Sequence, residues 1–161
     1  MELSTASKGP LVLGHCSDPK AADDIAAAIA GQWSAWNAGE PLHVSDFTPD
    51  SDYVTFDGTE LHGVEENRRL HDHFGRGILR GSRLTGSVRR IRFVTDDVAL
   101  VHSRGNLQLR FHPRPKPSRD SIQTTVMRRT AEGWKIEAFQ NTRVVRRGVI
   151  ANLAVWLANR L

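Results

Sequence analysis

Residues 121–144 read SIQTTVMRRTAEGWKIEAFQNTRV, two runs of alternating apolar and polar positions around a tight turn. Ile122, Thr124 and Val126 alternate with Gln123, Thr125 and Met127, the two-residue period of a strand with two different faces. Thr130-Ala131-Glu132-Gly133 predicts the turn, because Gly133 takes a positive φ without steric cost. Trp134, Ile136 and Ala138 then share one face, and Lys135 and Glu137 point the other way. Gln140, Asn141 and Thr142 follow Phe139, so the strand ends with polar side chains on both faces, as at a cavity, an interface or a solvated terminus. Carried across the hairpin, this phase sets Gln123, Thr125, Met127, Phe139 and Asn141 opposite Trp134 and Ile136. Met and Phe are poor choices for a solvated surface, so that outer face predicts contact with a second copy of the chain.

The rest of the chain alternates between two periods. Residues 1–19 mix Ser, Thr, Gly and Pro with little periodicity and predict a flexible leader. In residues 20–37, Ile25, Ala28, Ile29, Gln32, Trp33 and Trp36 recur at three and four residues, predicting a helix that Gly39 closes. A helical turn over 42–47, a break at Pro49 and a strand over 52–57 (DYVTFD) closed by Gly58 follow. Residues 65–74 predict a second helix carrying Leu70, His71 and Phe74. Residues 83–94 and 98–109 predict two longer strands joined at Thr95-Asp96-Asp97. The three prolines of residues 112–118 (HPRPKPS) exclude that stretch from a sheet interior. Ile150, Leu153, Ala154, Leu157 and Leu161 fall on one stripe, predicting a last amphipathic helix within 146–161. Helices gathered before a run of strands indicate an α+β fold rather than a doubly wound sheet. The expected organisation is therefore a leader (1–19), one domain (20–145) and a C-terminal helix (146–161).

Composition narrows the classes of function. With 161 residues, 39% hydrophobic and 25% charged, the chain suits one globular domain. Its net charge of +4 is spread over scattered arginines, such as Arg89-Arg90, Arg128-Arg129 and Arg146-Arg147, with no long basic run or stacking-aromatic motif, which argues against nucleic acid. Cys16 is the only cysteine, so neither an internal disulfide nor a thiolate metal cluster is expected. The apolar run at residues 11–13 is too short for a signal peptide, and no stretch reaches membrane-spanning length. A cytoplasmic protein without membrane contact is the simplest expectation.

Several short patterns together resemble a known family. They are W-x-x-W-N-x-G at 33–39, Y-V-T-F-D-G at 53–58, the helix with His71, and G-S-R-L at 81–84. D-V-A-L-V-H at 97–102, S-I-Q-T at 121–124 and F-Q-N-T-R-V at 139–144 belong with them. Over residues 20–145 the chain resembles the SnoaL-like branch of the nuclear transport factor 2-like superfamily, most closely the SgcJ/EcaC-type proteins often encoded near natural-product pathways. The resemblance implies a cone-shaped, curved antiparallel sheet packed on the N-terminal helices, an open-ended pocket, and a homodimer through the outer sheet face. It leaves the activity open, since isomerases, cyclases, dehydratases and plain binding modules share the scaffold.

Within that frame Asp57 is the candidate for chemistry. Ketosteroid-isomerase-like members carry a proton-shuttling carboxylate five residues after another Asp, a spacing that Asp52 and Asp57 reproduce. In an apolar pocket such a carboxylate loses hydration, its pKa rises and it becomes a base near neutral pH. Asp57-Gly58 is equally a strong turn dipeptide, and both readings stand. The isomerase's companion Tyr and protonated Asp have no evident match.

His71 falls where the branch commonly has a histidine, able to exchange a proton or to donate to a substrate oxygen; a hydrogen-bonded histidine on a buried face is the alternative. His71 and His73 point about 200° apart on a helix and cannot share one ion, so no metal is expected. Trp33, Trp36, Tyr53, Gln140 and Asn141 are the candidate ligand-binding residues, the two tryptophans serving core packing or ligand contact. No dinucleotide, flavin or metal motif is visible, so no cofactor is expected. The reading is a small-molecule pocket protein of secondary metabolism, acting by proton transfer on a polyketide-like or other apolar carbonyl compound. The alternative is a non-catalytic binding or dimeric scaffold protein.

Overall fold

A computed structural model describes residues 9–40 and 42–145. The expected C-terminal helix over 146–161 lies outside the described residues. The first helix, α1 (Ala21–Asn37), buries Ala21, Ile25 and Ile29, one residue per turn, and sets Asp23 and Asp24 in its first turn where the peptide dipoles favour negative charge. The second, α2 (Val64–Arg76), buries Asn67 and His71 four residues apart and carries Glu65 and Glu66 in its first turn. A single 3-10 turn at Val44–Asp46 occupies the place of the predicted helical turn. Neither helix is long and apolar enough to cross a membrane.

The strands are β1 (Leu11–Leu13), β2 (Phe47–Val54), β3 (Glu60–His62), β4 (Arg83–Thr95), β5 (Val98–Gln108), β6 (Asp120–Thr130) and β7 (Gly133–Arg143). They form one sheet in the order β1-β4-β5-β6-β7-β2-β3. The four long strands, β4 to β7, pair antiparallel with one another as the pattern predicted. The sheet as a whole is mixed, because β1 lies parallel to β4 and β2 lies parallel to β7. With two helices packed on it, this is the α+β cone. Ile25 and Ile29 meet Ile91, Phe93, Val101, Met127 and Ile136 in the core. Each such side chain, fully buried, contributes roughly 1.5–3 kcal/mol.

Three local expectations need correction. Leu11–Leu13 is an edge strand rather than leader, added to β4 by backbone pairing that needs no apolar alternation. It is held further by Arg129, whose guanidinium pairs with Asp18 at 3.0 Å and contacts Cys16 Sγ at 3.3 Å. The second strand runs 47–54, not 52–57. Pro49 sits inside it, in the irregular segment between the Phe47 and Asp52 pairings, where the ladder asks for no N–H.

The third correction concerns the faces of the hairpin. Met127 lies opposite Ile136, while Val126 lies opposite Ala138, so Glu137 is an extra residue on β7. This β-bulge reverses the inward and outward phase of everything after it. Pairs on the inner face are therefore Met127–Ile136, Thr125–Phe139, Gln123–Asn141 and Ser121–Arg143. Gln123, Thr125, Met127, Phe139 and Asn141 do not form the outer face. Met127 and Thr125 are fully buried in the interior. The outer face carries instead the cross-strand rows Leu100–Val126–Ala138 and His102–Thr124–Gln140.

Candidate functional site

Between the inner sheet face and the two helices lies a cavity of about 160 Å³. Its walls follow from the continuation of each amphipathic element. Below its core residues α1 presents Gln32, Trp33 and Trp36 to the cavity, and α2 presents His71 and Phe74. Trp36 is fixed by its indole N–H donating to Ser82 Oγ at 3.1 Å. Asn37 clamps the end of α1 to β4, accepting from the Leu84 N–H and donating to the Leu84 carbonyl, both at 2.8 Å.

The Trp33 ring packs against Gly86, where a β-carbon would stand 2.7 Å from the ring and 2.8 Å from the Arg104 carbonyl oxygen. Gly105, next to Gly86 in the β4–β5 register, leaves room for the Gln123 amide, whose Nε2 would stand 2.9 Å from a β-carbon there. Two bare glycines in one row thus let an indole and an amide rest against the sheet.

At the inner end sits an aromatic group. Tyr53, the only tyrosine in the chain, stacks on Phe139 with ring centroids 4.7 Å apart and meets His71 edge-on at 5.1 Å. Trp36 meets His71 edge-on at 6.2 Å. His71 Nδ1 lies 3.0 Å from the Asn67 carbonyl oxygen, which can only accept, so Nδ1 carries the proton. Burial pushes the imidazole pKa below its ordinary value, so the ring is neutral and Nε2 is left with a lone pair. Burial raises the Tyr53 pKa well above the usual phenol range, which keeps its hydroxyl protonated as a donor.

Toward the mouth the floor becomes polar along the register, from Thr125–Phe139 to Gln123–Asn141 and then Ser121–Arg143. Gln123 accepts from Ser103 Oγ at 2.8 Å. Asn141 Oδ1 is buried with no hydrogen-bond donor among the described residues. Arg119, Asp120 and Arg143 complete the rim, and Arg143 lies over the Phe56 ring at 4.2 Å.

Of the residues singled out from sequence, Trp33, Trp36, Tyr53, His71 and Asn141 all line this cavity. Asp57 and Gln140 do not. Asp57 is exposed in the turn between β2 and β3 and accepts hydrogen bonds from the Thr55 hydroxyl and from the Thr59 N–H (3.3 Å) and hydroxyl (3.1 Å). Those donors hold its pKa below the ordinary carboxylate value, the reverse of the dry-cavity expectation. Its spacing partner Asp52 is on the outer face, 2.8 Å from His62. Gln140 pairs with Thr124 on the outer face, because the Glu137 bulge exchanged its orientation with that of Asn141. Arg119 and Arg143 were not singled out from sequence, and Gln123 was expected on the outer face. Two-residue periodicity already groups Gln123 and Arg143 with Asn141, but only the bulge turns that face inward. Among the described residues no group of His, Cys, Asp and Glu side chains is placed to hold a metal ion.

No protein-family model matches the chain, and no curated protein matches it in sequence. Solved structures do resemble it. A domain of unknown function with a cystatin-like fold from Nostoc punctiforme superposes with a TM-score of 0.76 at 28% identity, covering 90% of this chain and 89% of that one. An NTF2-like protein with a cystatin-like fold from Novosphingobium aromaticivorans gives 0.64 at 17% identity, covering 83% and 88%. A ketosteroid isomerase-like protein from Erwinia carotovora atroseptica gives 0.61 at 13% identity, covering 80% and 99%. The fold is the NTF2-like, cystatin-like cone.

Proposed function

We propose that this cone is a small-molecule pocket protein that takes an apolar carbonyl compound, with His71 as its proton-transfer group. The observation that carries the reading is a neutral imidazole, its Nδ1 proton committed to Asn67, lining an apolar cavity beside a protonated Tyr53. In that geometry His71 Nε2 accepts a proton from the carbon next to the carbonyl. The Tyr53 hydroxyl, to which no described residue is hydrogen bonded, donates to the oxygen on which negative charge develops. In a substrate with a double bond β,γ to the carbonyl, returning the proton from His71 to the γ-carbon makes an isomerisation; in one with a β-hydroxyl, loss of that group as water with the His71 proton makes a dehydration. Asp57 has no part in this scheme, being exposed and held ionised by its turn.

The substrate size follows from the cavity. About 160 Å³ is close to the roughly 150 Å³ apolar cavity known to hold one benzene ring, so one ring fills the interior. The motif resemblance to SnoaL-like, SgcJ/EcaC-type proteins supports a polyketide-like or related natural-product substrate, and the ketosteroid isomerase-like neighbour is in keeping with carbonyl chemistry. A second reading, a non-catalytic binding module, is favoured by one fact: among the described residues the only carboxylate lining the cavity, Asp120, is already hydrogen bonded to Asn106 at 2.6 Å.

Deuterium exchange separates the two. With 1-phenyl-2-propanone and 2-tetralone in D₂O, the protein should accelerate exchange of the protons next to the carbonyl, and His71→Gln should reduce that acceleration by about a hundredfold. Ligand affinity should stay within a few-fold. Binding of either ketone with no acceleration of exchange would leave the binding module.

A further inference from the structure

From the way polar groups are graded along the cavity, and resting on the pocket reading above, we infer that the natural ligand is an amphiphilic acid, with an apolar head inside and a carboxylate at the mouth. The inner end, around Tyr53 and Phe139, is aromatic. Arg143 lies four residues farther along β7 on the same face, roughly 13 Å away at about 3.3 Å per residue. Arg119 joins it on the rim from the segment before β6.

Among the described residues neither guanidinium has a carboxylate within ion-pair distance. The one acid beside them, Asp120, is engaged with Asn106 and with a further partner. Two arginines against one occupied carboxylate leave positive charge at the opening. Arg143 is braced by the Phe56 ring, which leaves the edges of its guanidinium to donate in the bidentate geometry that a carboxylate matches. Between the two ends, the buried and undonated Asn141 Oδ1 calls for a hydroxyl or N–H on the ligand body. The resulting ligand has a single ring or short chain, a donor near its middle and a terminal carboxylate.

The test uses the full chain and four acids paired with their primary amides of nearly equal shape: benzoate, trans-cinnamate, 1-naphthoate and octanoate. Tryptophan fluorescence reports binding through Trp33 and Trp36, checked by calorimetry. In at least one pair the acid should bind about tenfold or more tightly than its amide at low salt, and the preference should shrink as salt rises. Arg143→Gln and Arg119→Gln together should bring acid and amide to within about twofold, while Arg114→Gln, in the exposed proline loop, should leave the preference intact. Unchanged melting temperatures separate lost recognition from lost folding. Amides that bind as well as their acids would overturn the anionic ligand while sparing the pocket. Binding by none of the eight compounds would overturn the pocket reading and this inference with it.

Discussion

His71 and Asp57 were the two candidates for proton transfer, and their environments separate them in opposite directions. Burial makes the charged form of His71 costly, so protonation is easier in the unfolded chain, where the ordinary value is near 6.5, than in the folded one. Folding stability should therefore fall as pH drops below about 6.5, and stop falling once pH passes below the depressed folded value. Urea titrations from pH 7.5 to 4.5 should show that slope, and His71→Asn should flatten it. The exchange activity expected of a neutral Nε2 should hold through neutral pH and decline on the acid side of the same window. Asp57 behaves otherwise. Its carboxylate is ionised and bound to its own turn, so Asp57→Asn should leave exchange rates within about twofold, whereas a catalytic base would lose about a hundredfold.

At the scale of the elements, one extra residue in β7 decides what the cavity contains. The Glu137 bulge brings Phe139, Asn141 and Arg143 inward and sends Ala138 and Gln140 outward. Deleting Glu137 would remove the extra residue and restore strict alternation with Phe139, Asn141 and Arg143 still facing inward. We expect that variant to keep its ligand binding, with a stability loss of no more than about 3 kcal/mol by denaturant titration, and lost binding would mean that the bulge residue does more than set the phase. The pairing of Gly86 with Trp33 is a second constraint of this kind. In Gly86→Ala the new methyl meets an indole carbon at 2.7 Å and a backbone oxygen at 2.8 Å, and backbone cannot swing aside. A loss of about 1–3 kcal/mol should follow, with weaker Trp33 fluorescence response to ligand. A wild-type urea midpoint in that variant would mean that the two elements are not in contact as described.

For the whole molecule, the convex face remains to be covered. It carries the row Leu100–Val126–Ala138, with Ile122 39% exposed nearby. We propose a homodimer through this face, built from residues other than those first read from the alternation. Light scattering should give twice the chain mass at micromolar concentration, and Val126→Arg should give a monomer with its cavity intact. A monomeric wild type across that range would remove the proposal.

Much of this architecture is legible in the residue pattern alone. Periodicity of two and of three to four marks interactions between neighbours in sequence, so it found both described helices, the four long strands and the β6–β7 turn. It also marked Trp33 and Trp36, which continue the apolar stripe of the first helix into the cavity, whereas His71 entered through the family resemblance and Asn141 lines the cavity although the alternation had set it on the outer face. What it missed depends on contacts between residues far apart. Leu11–Leu13 is a strand only because β4 offers a free edge, and Asp57 is a turn residue because the Thr55 and Thr59 groups close around it. The bulge at Glu137 leaves no local signature, since it exists only as a mismatch between the registers of two strands. That mismatch alone chose Asn141 over Gln140 and brought Arg143 to the cavity mouth. Tertiary pairing therefore decided the chemistry at the opening, while the local pattern of the chain was enough to determine the scaffold behind it.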